Sequence, residues 1–376
     1  MQKKKQYAPS HMLILGENDK KNNVYIQEDN RMKHILVVGT KGSGKSTGLL
    51  PFLVKQDIED KKAGATVIVG DKETAMLLFA LAKRAGRDVT IIKPSLTDSG
   101  KMLLMHQSYD YNSIKEDVVD YEKAVTKRQI VIVDMEFARH QQNAIKGVAY
   151  LISALHEAVV KVNDATITKH FLYVDDAHLY LPFVKNLLYS GKEYGVGCTL
   201  FLESRLQLTD AGERALVDAY VGNTVLMSGL TVEDARYYVE DIYEKQIPYM
   251  RNRGLKEFLY STTDREGRRT TGTAKLEFLP DELVQSLRMA IPRYRGGIER
   301  EQVGVTKRET VVVPAVTTER VAPAQTRMVP EMTPVESTPK SLDVKVKRTP
   351  VAKVVEAQTK RHVVILDNVF DDNEEF

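Results

Sequence analysis

The most chemically informative stretch of the sequence is a glycine-rich turn between an apolar run and a helical pattern, HILVVGTKGSGKSTGLLPF, at residues 34–52. Its spacing fits G-x-x-x-x-G-K-[ST], a pattern whose glycines allow backbone N–H groups to surround phosphate oxygens. In this pattern the lysine, here Lys45, reaches the β- and γ-phosphates of a nucleotide, and the Ser46 hydroxyl binds Mg²⁺. We therefore predict a nucleotide-binding loop composed of Gly39, Thr40, Lys41, Gly42, Ser43, Gly44, Lys45, Ser46 and Thr47.

A phosphate-bound metal also needs a carboxylate from a second strand. The apolar run FLYV (171–174) leads into Asp175 and Asp176, and the run IVIV (130–133) leads into Asp134. We predict that Asp175 holds the Mg²⁺, with Asp134 as the competing choice, because the remaining motifs fall into register only with Asp175. Asp176 occupies the place where the base that orients the attacking water is usually Glu. An aspartate is one methylene shorter, which predicts slower hydrolysis.

Short apolar runs alternate with helix-spaced segments over most of the chain. The runs are ILVV (35–38), TVIV (66–69), VTII (89–92), IVIV (130–133), FLYV (171–174), TLFL (199–202) and TVLM (224–227). The helix-spaced segments are residues 47–62, 74–85, 141–162 and 207–220, and Thr231 is a candidate N-cap before Asp234. Because each run is apolar on both faces, the pattern predicts a mainly parallel α/β sheet between helical layers.

The two ends of the chain differ in character from its middle. The stretch HMLILGENDKKNNVYIQED predicts two short strands joined by a polar turn, so residues 1–32 would form a small N-terminal β leader. Residues 33–300 would form the nucleotide-binding domain. Residues 301–376 are rich in Pro, Thr and Val without a sustained period, which predicts a disordered tail. Its last stretch, VVILDNVFDDNEEF, reads as a solvated acidic end or as a docking peptide for a protein partner.

Composition narrows the class of protein further. The formal charge of +3 neither requires nor excludes a nucleic-acid partner. Cys198 is the only cysteine, which excludes an internal disulfide, suits a reducing compartment and predicts a small core residue. No stretch approaches the roughly 20 apolar residues that cross a bilayer. We expect a cytoplasmic protein without direct membrane insertion.

The phosphate-binding stretch and three later motifs resemble a known family. ATVIVGDKETAMLLFALAKRAGRDVTIIKP, FLYVDDAHLYLP and GKEYGVGCTLFLESRLQL are similar to successive motifs of the FtsK/HerA superfamily of P-loop motors. Within it they look closest to the TraG/TraD-type coupling ATPases of conjugation and type IV secretion. The resemblance implies a RecA-like domain that forms a ring, commonly a hexamer, with ATP at the subunit interfaces. It also implies that ATP hydrolysis moves DNA and that the protein contacts the backbone of the DNA.

The sequence departs from this family in three places. The coupling ATPases usually have N-terminal membrane helices, and this sequence shows none. They also have an all-helical insertion, but only residues 95–128 could contain it here, and that segment is too short for a separate domain. At the end of the TLFL run the family commonly has Gln-Ser, where this chain has Glu203-Ser204. Glu203 could sense the γ-phosphate through a water, supply the carboxylate that Asp176 holds too far back, or simply pair with Arg205 or Lys192.

The resemblance also directs attention to basic residues. A ring motor needs a cation from the neighbouring subunit in the transition state, and Arg205, Arg214 and Arg236 are candidates by position. Lys185, Lys192 and the basic stretch at 264–275 are candidate contacts to the DNA backbone. Two other functions stay open: an ATPase for viral genome packaging or DNA processing, and a slow ATP-binding switch or assembly protein that does not translocate.

Overall fold

The computed structural model describes residues 12–96, 102–106, 119–136, 142–238, 256–263 and 266–295. Contacts divide the chain into two units, Met1–Thr306 and Lys307–Phe376, and all described residues belong to the first. The predicted tail, residues 301–376, lies outside the described residues. The bounds of the three predicted segments therefore stay predictions.

The described residues form one 12-stranded sheet with helices on both sides. The strands are β1 (Met12–Glu17), β2 (Asn23–Gln27), β3 (Ile35–Val38), β4 (Gly64–Val69), β5 (Val89–Leu96), β6 (Met102–His106), β7 (Ile130–Asp134), β8 (His170–Val174), β9 (Val196–Leu202), β10 (Asn223–Met227), β11 (Glu257–Thr263) and β12 (Arg269–Lys275). The helices are α1 (Glu28–Arg31), α2 (Leu50–Asp60), α3 (Lys72–Arg84), α4 (Tyr121–Thr126), α5 (Gln142–Val162), α6 (Leu181–Ser190), α7 (Ala211–Tyr220), α8 (Val232–Tyr237) and α9 (Asp281–Arg295). One turn of π-helix, Lys45–Leu49, leads into α2.

The centre of the sheet is parallel, in the order β10-β3-β9-β8-β4-β7-β5. These strands contain the apolar runs of the sequence, so the prediction of a mainly parallel α/β sheet is confirmed. The side chains of β3 alternate between two cores, which shows how each of these strands is buried on both faces. Leu36 and Val38 pack into one core together with α5 and α6, whereas Ile35 and Val37 pack into a second core with α2 and α3.

Antiparallel strands extend this parallel centre at both edges. β1 and β2 pair as the two short strands predicted for the leader, and β1 continues the sheet through one contact with β12, Glu17 opposite Lys275. β11 pairs with β10 and forms a hairpin with β12. The stretch at 264–275, which the sequence showed only as a basic run, therefore contains β12, an antiparallel strand outside the parallel centre of the sheet.

Helix starts agree with the sequence patterns in part. The predicted N-cap at Thr231 is confirmed, because its hydroxyl oxygen accepts a 3.0 Å hydrogen bond from the backbone N–H of Asp234. The predicted start at residue 207 is wrong, since α7 begins at Ala211 and Asp210 caps it by accepting from the N–H of Glu213 at 2.9 Å. Within the described ranges, no helix is both long enough and apolar enough to cross a membrane.

A buried ion pair joins three elements beside the phosphate-binding stretch. Arg31 in α1 donates two hydrogen bonds of 2.7 Å to the two carboxylate oxygens of Asp57 in α2. Arg31 also donates a 3.0 Å hydrogen bond to the hydroxyl of Tyr173 in β8. The side chains of Arg31 and Asp57 are 6% and 2% exposed, so water cannot replace either partner. The network ties the helix that follows the loop to the strand that carries Asp175.

We expect Asp57→Ala to lower the free energy of unfolding by about 3–5 kcal/mol, because it leaves the Arg31 guanidinium buried without a carboxylate. Urea unfolding measures the loss. The control is Glu59→Ala on the same helix, which removes the exposed Lys55–Glu59 pair and should change stability by less than about 1 kcal/mol. Equal losses in the two variants would contradict a structural role for the buried pair.

Candidate phosphate-binding site

The carboxyl ends of the parallel strands bring the predicted site residues to one edge of the sheet. The loop begins directly after β3, where the N–H of Gly39 donates a 3.1 Å hydrogen bond to the carbonyl of Leu202 in β9. Glu203 follows Leu202, and Asp175 follows β8, the next strand along. Ligands of open parallel sheets bind at this edge, so the topology alone places the three motifs in one site.

The loop has the backbone that a phosphate cradle requires. Gly42 and Gly44 have φ of 83° and 89°, the left-handed region that side-chain-bearing residues rarely adopt. Their conformation turns the chain into the π-helical turn that begins at Lys45. The first N–H groups of a helix have no partner within the helix, which makes this end suited to an anion.

Lys45 lies inside the curve of the loop. Its ammonium donates hydrogen bonds to the carbonyls of Gly39 and, at 3.1 Å, of Thr40. Burial lowers the pKa of Lys45, and the carboxylates of Glu203, Asp175 and Asp176 act in the opposite direction. The three predicted acidic residues are therefore within electrostatic reach of the one ammonium.

Ser46 and Asp175 are in direct contact although 129 positions separate them in the sequence. The Ser46 hydroxyl donates a 3.0 Å hydrogen bond to Oδ1 of Asp175, which is 5% exposed. A hydroxyl and a carboxylate oxygen are hard oxygen ligands of the kind that Mg²⁺ prefers. The two residues predicted to bind the metal thus form a pair of suitable chemistry.

Asp134, the competing choice, lies elsewhere. It ends β7, which β4 separates from β8. Its carboxylate pairs with the ammonium of Lys93 at 3.4 Å and accepts the backbone N–H of Glu136 at 3.1 Å. The geometry favours Asp175 as the acid of the site, because Asp134 is committed to its own neighbours.

Two further carboxylates flank Lys45. Asp176 has φ of 51°, a left-handed conformation that aspartate tolerates better than most residues, and its N–H donates to Oδ1 of Asp175 at 3.2 Å. Glu203 is held by its backbone, since its N–H donates to Oε1 of Gln207 at 2.9 Å. Of the three acidic residues, Glu203 has the largest effect on the pKa of Lys45.

Asp71, in the GDKE stretch that follows β4, has a structural task. Asp71 is the N-cap of α3: its Oδ2 accepts the backbone N–H of Thr74 at 2.8 Å and the Thr74 hydroxyl at 2.7 Å. The Thr74 hydroxyl also lies 3.5 Å from the carbonyl oxygen of Ser46. Asp71 therefore sets the start of a helix that contacts the loop.

The structure separates the three candidate arginines. Arg205 is 5% exposed, bonds Oδ2 of Asp218 at 2.6 Å and lies 3.8 Å from the centroid of the Tyr237 ring. It therefore pairs with Asp218 rather than with Glu203, and as a buried side chain it does not suit a contact in a neighbouring subunit. Arg214 donates to the carbonyls of Leu208 and Thr209, whereas Arg236 is exposed.

The basic residues proposed for DNA are not in one place. Lys185 in α6 and Lys192 just after it are exposed. Arg269 at the start of β12 is also exposed, and Arg268 pairs with Glu266. In the sheet, β3, β10 and β11 lie between β12 and β9, the strand that α6 contacts. Residues 264 and 265 lie outside the described residues.

The sequence patterns missed a support of the loop at the end of β10. The Thr40 hydroxyl donates a 3.4 Å hydrogen bond to the carbonyl of Ser228, and the next residue, Gly229, has φ of 79°. A Cβ on Gly229 would lie 2.4 Å from Oγ1 of Thr40, closer than real contacts allow. The signal available was a glycine just after a buried strand, but nothing in the sequence showed what it touches.

The described part of the chain thus has the α/β fold of a P-loop NTPase. No protein-family model and no curated protein matches the sequence. Among solved structures, it is similar to the plasmid coupling protein TrwB in complex with ADP and Mg²⁺, with 11% identity, a TM-score of 0.49 and coverage of 73% of this chain and 90% of that one.

Two other solved structures are also similar to this chain. VirB4 of Thermoanaerobacter pseudethanolicus has 11% identity and a TM-score of 0.48, covering 73% of this chain and 99% of that one. The genome packaging NTPase B204 from Sulfolobus turreted icosahedral virus 2, in complex with ATP-gammaS, has 15% identity and a TM-score of 0.41, covering 66% and 100%. These similarities concern the fold alone, and at such identities they transfer no residue role.

We expect Gly229→Ala to lower the free energy of unfolding more than the same substitution at another glycine with a positive φ. The reason is that it adds a clash with Thr40 to the backbone strain. Gly267→Ala is the matched control, since Gly267 has φ of 80° and a Cβ there meets nothing within 4 Å. The control should lose about 1–2 kcal/mol of unfolding free energy, and Gly229→Ala about 1–3 kcal/mol more. Urea unfolding of both variants checks this, and equal losses would show that Thr40 yields without cost.

Proposed function

We propose that this protein is a ring-forming ATPase that uses ATP and Mg²⁺ to move DNA. The observation that carries the proposal is the contact between Ser46 and Asp175 beside the buried ammonium of Lys45. A hydroxyl, a carboxylate and an ammonium at the end of a glycine-rich turn form the set that binds a metal-complexed triphosphate. The chemistry of these donors fits Mg²⁺ and phosphate together.

Each residue has a distinct task in this proposal. Lys45 exchanges its hydrogen bonds with the loop carbonyls for the β- and γ-phosphate oxygens. Ser46 and Asp175 would hold Mg²⁺, directly or through water, and the ion would supply positive charge beside the phosphates. Glu203 or Asp176 orients the attacking water and accepts its proton.

The remaining parts of the proposal concern partners. A homo-oligomeric ring, with a hexamer as the first expectation, would place a cation of one subunit at the ATP of the next. Arg236 is the exposed member of the three candidate arginines. The backbone of the DNA would contact Lys185, Lys192 and the β11–β12 hairpin. A protein partner would bind the end of the tail. The expected location is cytoplasmic.

One feature favours a second function. Asp176 and Glu203 stand where the related motifs have Glu and Gln, and both changes affect the hydrolytic step. A protein with this pair could bind ATP tightly and hydrolyse it slowly, as a switch or assembly protein does. A viral packaging or DNA-processing ATPase of the same superfamily is the alternative that keeps the motor.

We expect ATP hydrolysis to rise severalfold when double- or single-stranded DNA is added, because a motor couples hydrolysis to its track. Steady-state phosphate release measures the rate, and Lys45→Ala should abolish it. Lys55→Ala, a lysine of α2 that pairs with Glu59, is the matched control and should keep the DNA response. Tight ATP binding with a low rate that DNA does not change would favour the switch.

We expect Glu203→Gln to lower kcat about 100-fold while the Kd for ATP stays within about threefold, because general-base contributions are of this size. Asp176→Asn should lower kcat less than about tenfold, since the Asp176 side chain is one methylene shorter than the Glu usual at this place and holds its carboxylate further back. Single-turnover hydrolysis and equilibrium binding separate the two effects. The reverse ranking of the variants would assign the base to Asp176.

A further inference from the structure

An aromatic ring is packed against the first turn after the phosphate-binding loop. Gly48 lies two residues beyond Ser46, and a Cβ there would be 2.3 Å from Cε1 of Phe278 and 2.9 Å from its Cδ1 and Cζ. Gly48 has a helical backbone, so the glycine is required by the ring rather than by its φ. Phe278 lies between β12 and α9, more than 200 positions further along the chain.

If the protein binds a nucleotide as proposed above, this contact lies next to the nucleoside of that nucleotide. The phosphates are held by the loop and by the N–H groups of Lys45 and Ser46, so the nucleoside must leave the loop past Thr47, which is exposed. A helix rises about 1.5 Å per residue, which puts Gly48 about 3 Å along the axis from Ser46. The ring of Phe278 packs on Gly48, the residue next to Thr47, and so lies beside this exit from the loop.

The ring of Phe278 is partly exposed to solvent. Phe278 is half-buried, in contrast to Phe258 of β11, which is fully buried in the same core. The ammonium of Lys256 lies 4.9 Å from the centroid of the ring. Lys256 is itself exposed, and its long side chain can move aside for a planar ligand.

We propose that Phe278 is the platform on which the base of the bound nucleotide stacks, and that Gly48 exists to let the ring approach. A phenyl ring has no hydrogen-bond donor or acceptor, so it recognises the π-face of the base rather than its edge. The site therefore takes purine nucleoside triphosphates through stacking area and distinguishes ATP from GTP only weakly. Purine nucleotides bind more tightly than pyrimidine nucleotides, because their bases have the larger stacking area.

The test compares two Mg²⁺-bound ligands by calorimetry: ATP, which has a base, and inorganic tripolyphosphate, which has none. Phe278→Leu keeps an apolar side chain beside Gly48 but removes the ring. We expect it to raise the Kd for ATP about tenfold and to leave the Kd for tripolyphosphate within about twofold. The Kd for CTP in the wild type should exceed the values for ATP and GTP.

Two further variants separate stacking from general damage. Phe258→Leu removes a phenyl ring from the same core and should leave the ratio of the two Kd values unchanged. Gly48→Ala favours the helix by its propensity but displaces the ring, so it should weaken ATP binding selectively. In the Phe278→Leu background Gly48→Ala should change the Kd for ATP by less than about twofold, because the ring whose stacking it disturbs is absent.

Equal weakening of ATP and tripolyphosphate by Phe278→Leu, or no weakening of either, would overturn the proposal. Failure of the wild-type protein to bind either ligand would instead overturn the proposed nucleotide function. Additive effects of Gly48→Ala and Phe278→Leu would show that the two residues act separately.

Discussion

The candidate site depends on one constraint of the backbone: β3, β8, β9 and β10 run in the same direction and end at the same edge of the sheet. Register fixes the details, because Val38 pairs with Leu202 and so sets Gly39 beside Glu203. Both faces of these strands are buried, and a slip of one residue would exchange the side chains of the two cores. Packing of the apolar residues thereby determines where the polar ones meet.

The buried ion pair extends this control to the helix behind the loop. Asp57 is in α2, and Tyr173 is two residues before Asp175 in β8. Arg31 comes from the segment that follows the leader strands. The predicted leader is therefore part of the support of the site, because its arginine bridges the loop helix and the strand of the acid.

The charges around the loop suggest why a divalent cation and a phosphate would bind together. One ammonium, Lys45, is near the carboxylates of Asp175, Asp176 and Glu203. This set carries an excess of negative charge, so a phosphate without a metal would meet repulsion from the acidic residues. A divalent cation would balance the excess. Under the proposed function, these acidic residues would favour the metal complex of a nucleotide over the free nucleotide.

The sequence by itself determined the glycine-rich turn after β3, the parallel strands, the two leader strands and the cap at Thr231, because each is a local pattern of residue types. The sequence patterns missed the β11–β12 hairpin, since β12 is mostly polar and exposed and lacks a clean alternation. Tertiary structure placed Asp175 on Ser46 and Asp134 on Lys93, buried Arg205 against Asp218, and placed Phe278 on Gly48. These outcomes depend on which distant segments pack together, and that is set by the summed burial of the two cores rather than by any single stretch.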